Sequence, residues 1–445
     1  MTSGKEKPIL PCRMKILVSH SAGNNLGDVA MVEGVVSRLL HTAKGASLYL
    51  LDHPSWPEQM WPNNITRVAL RLSEPIDRVP YIHRIPLLRR YEWKFKIIGT
   101  RYCHTMLDRG LNPSDIKVDS GSDPTTLGEW CSQYDAMHIV GMGGLTDLFL
   151  PVVWQCCCLV HTFALQGKPV IFTGQQIGPL RSWFTKNLLQ RALRKADFIG
   201  LREPTDSVIY CQQANVASER FAVMGDDSFG LPAADEEQVK SFLSRYHLSP
   251  GKFIAVNVRI GGYAPSHGQY IQEIADLMSS LSQRYDLPVV VVPISWDRWD
   301  SDITSGYRLS EAMGSDRIQV LDKPEELSAA LVKGILGQAF AAVGVSYHFC
   351  TFALSQGVPA ICIFDGDYYS QKARGLSHFW GDERLALPLN KLDLQEATRQ
   401  VSELIEDKQF RKALSIRAEI AFQTWSEIFD LKVYEKLFRP KATIR

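Results

Sequence analysis

An arginine and a histidine in the second half of the sequence stand where they could bind or protonate a small anion. Arg259 follows the strand that the apolar run Phe253 to Val258 predicts, and Gly261 comes two residues later. A guanidinium at the carboxyl end of a strand is suited to bidentate capture of a carboxylate or phosphate, and an ion pair at the surface is the alternative. His348 follows the strand predicted over 341–345. Because imidazole titrates near neutral pH, we expect His348 to donate a proton or bind phosphate in the same cleft.

The first half of the sequence has three glycine-rich loops, each directly after a predicted strand. They cover 23–28, 141–147 and 173–180. Glycine lets backbone N–H groups approach a ligand, and a helix N-terminus attracts anions, so the three loops predict one cleft at the carboxyl ends of the strands. Asp28 could deprotonate a hydroxyl group or only cap its helix. The residues expected to contact a second substrate here are Asn25, Gly27, Asp28, Gly143, Gly144, Asp147 and Gln175.

Two further segments could contact a carbohydrate. Trp296 lies in the loop 295–302, after the strand predicted over 288–294. Aromatic rings stack on sugars and carboxylates accept their hydroxyl groups, although packing of the loop itself is the alternative. The segment 71–101 has eight Arg or Lys residues interleaved with aromatic ones. It predicts either a docking surface for an anionic glycan or a phospholipid-linked acceptor, or a solvated amphipathic surface.

The elements that must position these residues form the pattern of a parallel sheet covered by helices, and the pattern occurs twice. Short runs rich in Val and Ile alternate with longer segments of helical period, and the alternation restarts after a polar stretch at 231–237. We therefore predict an α/β protein with two Rossmann-like domains, 1–240 and 241–445, that face a central cleft. The helical segment 395–438 is expected to pack back across the interface.

Composition narrows the classes of function. The 445 residues include 49 Lys and Arg against 48 Asp and Glu, so a general nucleic-acid binder is not expected. No apolar signal region occurs near the beginning, and the apolar stretch Phe149 to Leu165 predicts a buried helix rather than a membrane span. We expect a cytoplasmic protein. Nine cysteines without C-x-x-C spacing predict reduced, mostly buried thiols, with neither a disulfide framework nor a zinc site.

On these residues the chain resembles the polysaccharide pyruvyltransferase family, from about Gly23 to about Arg374. Four ordered blocks carry the resemblance: 23–28, 141–147, 174–180 with 195–203, and 347–359. In addition, the segment Asp227-Ser228-Phe229 resembles the acidic-aromatic signature that closes the family's first domain. Each block is short and rich in glycine, and their order and spacing together are more specific than any single block.

The resemblance implies a fold similar to the GT-B glycosyltransferases, with no cofactor and no obligatory metal. It also implies phosphoenolpyruvate as co-substrate and a hydroxyl-bearing sugar as acceptor. By the family's motifs Arg259 corresponds to the phosphoenolpyruvate-binding arginine and His348 to the functional histidine. We expect Asp28 to take part in catalysis with them, and Gly261, Ser346 and Tyr347 to lie on the donor side. Many members of the family have Arg two residues before the histidine, where this chain has Ser346.

The expected acceptor is a polysaccharide or its lipid-linked precursor, and contact of 71–101 with lipid would place the protein at the inner face of the membrane. Two other functions stay open. One is a GT-B glycosyltransferase that uses a nucleotide sugar, since a fold does not define its function. The other is a catalytically silent glycan-binding protein, which the serine at position 346 favours.

Overall fold

A computed structural model describes residues 14–19, 24–43, 45–51, 65–72, 112–119, 125–260, 269–296 and 301–438. Gly23, Gly261 and positions 73–101 of the basic aromatic segment lie outside the described residues.

The first domain is built on a parallel sheet of seven strands with helices on its faces. Its central strands are buried along their whole length, which explains their nearly continuous apolar sequences. The strands are β1 (Lys15–Ser19), β2 (Ser47–Leu51), β3 (Ile65–Val68), β7 (Ala136–Ile139), β8 (Val170–Gln175), β9 (Phe198–Leu201) and β10 (Phe221–Val223), in the order β10-β9-β8-β7-β1-β2-β3. A small antiparallel sheet of β4 (Arg71–Leu72), β5 (Lys117–Asp119) and β6 (Thr125–Thr126) lies beside it.

The helices of the first domain follow its strands in the chain. They are α1 (Leu26–Thr42), α2 (Leu127–Ser132), α3 (Leu150–Leu165), α4 (Trp183–Leu193) and α5 (Asp206–Gln213). The segment Asp147–Leu165 is long and apolar enough to cross a membrane, and half of its most apolar window is buried. Within it Cys157, Leu159 and Phe163 are fully buried in the core of the domain, as the predicted buried helix requires. All seven cysteines among the described residues are buried.

The second domain repeats this arrangement on a parallel sheet of six strands. The strands are β11 (Ile254–Asn257), β12 (Val289–Val291), β13 (Ile318–Val320), β14 (Ala341–Gly344), β15 (Ala360–Phe364) and β16 (Ala386–Pro388), in the order β13-β12-β11-β14-β15-β16. Its helices are α6 (Glu236–Arg245), α7 (Tyr270–Tyr285), α8 (Asp302–Met313), α9 (Ala329–Gly337), α10 (Tyr347–Ser355), α11 (Asp367–Trp380) and α12 (Leu394–Glu406). The predicted α/β fold of two Rossmann-like domains is confirmed. The boundary predicted at residue 240 falls within α6 and stays a prediction.

The end of the chain returns to the first domain, which confirms the predicted packing across the interface. It consists of α13 (Lys408–Ile428), a π-helical turn (Phe429–Val433) and α14 (Tyr434–Phe438). Trp425 Nε1 donates a hydrogen bond of 2.9 Å to Asp227 Oδ1, and the Phe429 ring stacks on His138 with centroids 5.6 Å apart. Arg38 of α1 pairs with Asp430 at 2.7 Å. The last helices therefore tie the two domains together.

Candidate active site

A cleft between the domains brings together glycine-rich loops of the first domain and a cationic wall of the second. The first domain contributes the start of α1 and the loop after β7, while the second contributes the ends of β11, β12 and β14 and the helix α11. The predicted residues that line the cleft are Asn25, Asp28, Gly143, Gly144, Arg259, Ser346, Tyr347 and His348. Arg259 and His348 thus face one opening, as the sequence predicts.

The N-terminus of α1 is joined to the second domain by backbone contacts. Asn25 caps the helix, and its side chain accepts a hydrogen bond of 3.0 Å from Gly27 N. Leu26 N donates to Ile294 O at 2.8 Å, and Trp296 N donates to Asn24 O at 3.0 Å. The loop after β12 therefore holds the start of α1 in place, with Asp28 in its first turn at the cleft.

Gly27 lies directly against the imidazole of His348. A methyl group on Gly27 would come within 2.1 Å of Nδ1, so no other residue fits there without movement of the ring. His348 itself is only 7% exposed. The glycine of the first domain and the histidine of the second therefore form one contact across the domain interface.

A buried carboxylate stands behind the histidine. Asp226 Oδ2 lies 3.7 Å from His348 Nε2 and 3.6 Å from Arg202 Nη1, and Asp226 Oδ1 accepts a hydrogen bond from Ser228 N. Although burial alone would raise the pKa of Asp226, His348 and Arg202 hold that pKa well below its usual range. Asp226 is therefore ionised, and it places a negative charge beside the imidazole.

Arg202 is the first cation of the cleft that the sequence did not single out as a site residue. It follows β9 and is only 1% exposed, and its guanidinium lies 4.0 Å from the centroid of the Tyr347 ring. Its Nη2 donates to Gln176 Oε1. Its Nε and Nη1 have no hydrogen-bonding partner among the described residues, and the same holds for His348 Nε2. A buried N–H group without an acceptor lowers the stability of the folded protein unless a ligand or water accepts its hydrogen bond. These donors therefore indicate a binding place for a group with several hydrogen-bond acceptors.

Lys372 of α11 is a second cation that sequence reasoning missed. A methyl group on Gly143 would lie 3.2 Å from its Nζ and 3.3 Å from Arg202 Nη2, which places both cations at the loop after β7. Lys372 also lies over the ring of Tyr368, with Nζ 4.2 Å from the centroid. Burial and the nearby Arg202 and Arg259 lower the pKa of Lys372 to about 7.

Arg259 is held by a buried carboxylate rather than by a surface partner. Its Nε and Nη2 donate to the two oxygens of Asp302 at 2.7 and 3.1 Å. Asp302 is fully buried and also accepts hydrogen bonds from the side chain of Asn257 and the backbone N–H groups of Ile294 and Ser295. This network fixes the orientation of the guanidinium at the cleft wall.

Three predicted residues lie beside the cleft and not in its wall. Asp147 Oδ2 accepts from the backbone N–H groups of Arg181 and Ser182 at the start of α4. Gln175 is fully buried, and its amide donates to backbone carbonyl groups such as Val140 O at 2.7 Å. Trp296 is half-buried and packs against the core. Their roles, like those of the other site residues, stay predictions.

A local signal existed for only one of the two missed cations. Arg202 directly follows a buried strand, the same position that singled out Arg259. Lys372 lies in the interior of α11, where nothing in the neighbouring sequence distinguishes it from a solvated lysine. Among the described residues no group of three or more His, Cys, Asp or Glu side chains is placed to hold a metal ion.

Solved structures with the same fold come from several bacteria. A UDP-GlcNAc 2-epimerase from Neisseria meningitidis bound to UDP-GlcNAc is 11% identical, with 95% of this chain and 99% of that chain covered and a TM-score of 0.54. S. aureus MnaA with UDP is 13% identical, with 96% and 98% covered and a TM-score of 0.57. Anabaena HepE with UDP and glucose is 13% identical, with 96% and 99% covered and a TM-score of 0.53. At these identities the likeness concerns the GT-B-like fold alone.

The sequence comparison is more specific. Residues 25–363 match the model of one family, described as polysaccharide pyruvyl transferase. No curated protein matches the chain. The matched segment contains residues 25–28 of the first glycine-rich loop and the whole of the other two loops. It also contains Arg202, Asp226, Arg259 and His348, and it ends before Lys372.

Proposed function

Because the chain belongs to the polysaccharide pyruvyl transferase family, a family of transferases with carbohydrate acceptors, we propose that it uses phosphoenolpyruvate as donor. In the proposed reaction the three-carbon unit of the donor becomes a pyruvate ketal that bridges two hydroxyl groups of the sugar, and inorganic phosphate is released. The donor is a co-substrate, and the proposal requires no cofactor. The acceptor would be a polysaccharide or its lipid-linked precursor.

The observation that carries the proposal is the concentration of buried positive charge at one end of the cleft. Arg202, Arg259 and Lys372 converge there, and Nε and Nη1 of Arg202 have no hydrogen-bond acceptor among the residues that the structure describes, which favours an anion with several acceptor oxygens. Phosphoenolpyruvate carries a phosphate and a carboxylate on the same carbon atom, so it offers two anionic groups to this wall. We assign Arg202 and Lys372 to the donor beside Arg259, Ser346, Tyr347 and His348.

The proposed chemistry begins with transfer of a proton to the methylene carbon of the donor, with His348 as the acid. The central carbon then takes on positive charge and accepts the oxygen of one sugar hydroxyl, whose proton leaves to a base. Departure of phosphate regenerates an electron-poor carbon, and attack by the second hydroxyl closes the ketal ring with loss of its proton. Asp226 lies beside the imidazole as a negative charge, and Asp28 is the candidate base at the start of α1.

Orientation of the acceptor is assigned to the first domain and to the loop after β12. Asn25 and Asp28 offer polar groups at the cleft, and the bare backbone of Gly143 and Gly144 lets a sugar approach closely. Gly27, Asp147, Gln175 and Trp296 belong to this side by prediction. Because both substrates would be held side by side in one cleft, positioning of both reactants would supply much of the rate.

Phosphate release tests the proposal directly. Purified protein is incubated with phosphoenolpyruvate and candidate glycans, and products are examined by mass for the gain of one pyruvate ketal. We expect His348→Ala and Arg202→Ala to lose at least a hundred-fold in kcat/KM, by analogy with removal of a single transition-state donor. The matched control is Arg317→Ala, whose side chain is partly exposed and pairs with Asp286 away from the cleft. Full activity of either cleft variant would refute the assignment.

Ligand-induced shifts in Tm separate the proposal from its two alternatives. Stabilisation by phosphoenolpyruvate and not by uridine or guanosine diphosphate sugars supports the pyruvyl donor. The reverse result would indicate a nucleotide-sugar glycosyltransferase. Stabilisation by glycan alone, without consumption of any donor, would indicate a silent glycan-binding protein.

A further inference from the structure

An exposed apolar pair lies beside the mouth of the cleft, on the first domain. Leu148 is 48% exposed and Trp183 is 63% exposed. Ser182 N donates a hydrogen bond of 2.9 Å to Asp147 Oδ2, so the residues directly before these two side chains are tied together. Phe149, next to Leu148, lines the cleft. The two apolar side chains therefore project from the rim of the site itself.

The helix that carries Trp183 is basic together with the residues on either side of it. Residues 180–196 contain five Lys or Arg residues and no Asp or Glu. The helix α4 has an apolar side and a polar side. Its apolar side is buried and consists of Leu188, Leu189, Ala192 and Leu193. The outer side presents Trp183, Lys186 and, further along, Arg194 and Lys195.

One ion pair reduces this charge, because Arg181 pairs with Asp367 of α11. Arg194 donates a hydrogen bond to the carbonyl oxygen of Ala214, and this contact leaves its positive charge in place. Asp147 also lies at the rim. The rim and α4 together keep an excess of positive charge beside two exposed apolar side chains.

We propose that this surface, formed by Leu148, Trp183 and the outer side of α4, docks on an anionic phospholipid membrane. An indole ring is stable at the level of lipid headgroups, a leucine enters the acyl boundary, and cations attract anionic lipid. A soluble polyanion would satisfy the cations but would leave Leu148 and Trp183 in water, so the apolar pair favours the membrane.

Docking in this way turns the mouth of the cleft toward the membrane surface. An acceptor attached to a lipid would then reach the glycine-rich loops without leaving the membrane, a part of the inference that rests on the proposed function. The membrane contact itself does not depend on which donor the cleft takes.

Co-sedimentation of the full chain with vesicles tests the contact. Vesicles of equal parts phosphatidylcholine and phosphatidylglycerol should sediment the protein, and vesicles of phosphatidylcholine alone should sediment much less. The double variant Leu148→Ser/Trp183→Ser should bind the anionic vesicles more weakly. Its matched control is the double variant Ile416→Ser/Ile420→Ser on α13, where the two isoleucine side chains are 55% and 53% exposed.

A second double variant tests the positive charge. Lys186→Glu/Lys195→Glu should weaken vesicle binding roughly five-fold or more for each cation lost. Its control is Lys408→Glu with Lys412→Glu, both exposed on α13.

Three results would overturn the inference: no binding to anionic vesicles, equal losses in the patch and control variants, or capture by soluble dextran sulfate with none by vesicles. Activity on a water-soluble acceptor distinguishes failure of the docking inference from failure of the proposed function. If the docking inference holds, the patch variants keep phosphate release on that acceptor and lose only vesicle binding. If the protein binds vesicles but never consumes phosphoenolpyruvate, the docking inference holds and the proposed function is wrong.

Discussion

The contact between Gly27 and His348 makes the sharpest prediction about this molecule. In Gly27→Ala the added methyl group would lie 2.1 Å from Nδ1 and 2.2 Å from Cγ of the imidazole. Carbon and nitrogen atoms in contact need about 3.5 Å, so the ring must move by more than 1 Å or the domains must separate by a similar amount.

The expected effect falls on activity more than on stability. A displacement of about 1 Å at a catalytic group costs roughly a hundred-fold in rate. Overpacking destabilises a buried site by about 1–3 kcal/mol, while alanine is favoured over glycine in a helix by about 1 kcal/mol. The free energy of unfolding should therefore fall by about 2 kcal/mol or less, and kcat/KM for phosphate release should fall about a hundred-fold.

A second glycine supplies the control. In Gly334→Ala of α9 the methyl group would lie 2.5 Å from Val239 Cγ2, a clash of similar severity within the second domain and away from the cleft. We expect this variant to lose stability in urea unfolding while each folded molecule keeps its kcat/KM. The double variant Gly27→Ala/His348→Ala should be no less active than His348→Ala alone, because both changes act through one imidazole. Full kcat/KM in Gly27→Ala, or losses that add in the double variant, would refute the reasoning.

Three further predictions concern the charges and the domain contacts. Asp226→Asn leaves the buried Arg202 without its carboxylate and should lower the free energy of unfolding by about 3 kcal/mol in urea titrations; an unchanged midpoint would contradict the pairing. Lys372, whose pKa burial lowers to about 7, carries its charge below that pH and loses it above, so KM for phosphoenolpyruvate should rise as pH increases through 7. Lys372→Arg should keep its charge and flatten that rise, and identical pH profiles would argue against a donor contact. Trp425→Phe removes the hydrogen bond to Asp227 and should cost about 1–3 kcal/mol of stability, measured by thermal and urea unfolding, with Trp183→Phe, exposed on α4, as the control.

Several strands could be predicted from sequence because their burial is uniform. Phe198–Leu201 and Ala360–Phe364 are nearly continuous apolar runs with a neighbouring strand on each side, and the predicted and observed bounds agree. The strands at the sheet edges were not predicted: Phe221–Val223 and Ile318–Val320 have three residues each and are only half-buried. An edge strand has one neighbour and a partly wet face, so its sequence lacks the long apolar run that marks a central strand.

The sequence by itself determined the two-domain fold, the glycine-rich loops and the presence of Arg259 and His348 at one cleft. This was possible because parallel strands place their carboxyl ends on one edge of each sheet, whatever packs around them. Only the tertiary structure decided which charges meet. Asp302 lies 43 positions from the Arg259 that it orients, and Lys372 reaches the loop of the first domain from the interior of a helix. Pairing of buried charges depends on how elements that are distant in the sequence pack together, and no local pattern of residue types records that arrangement.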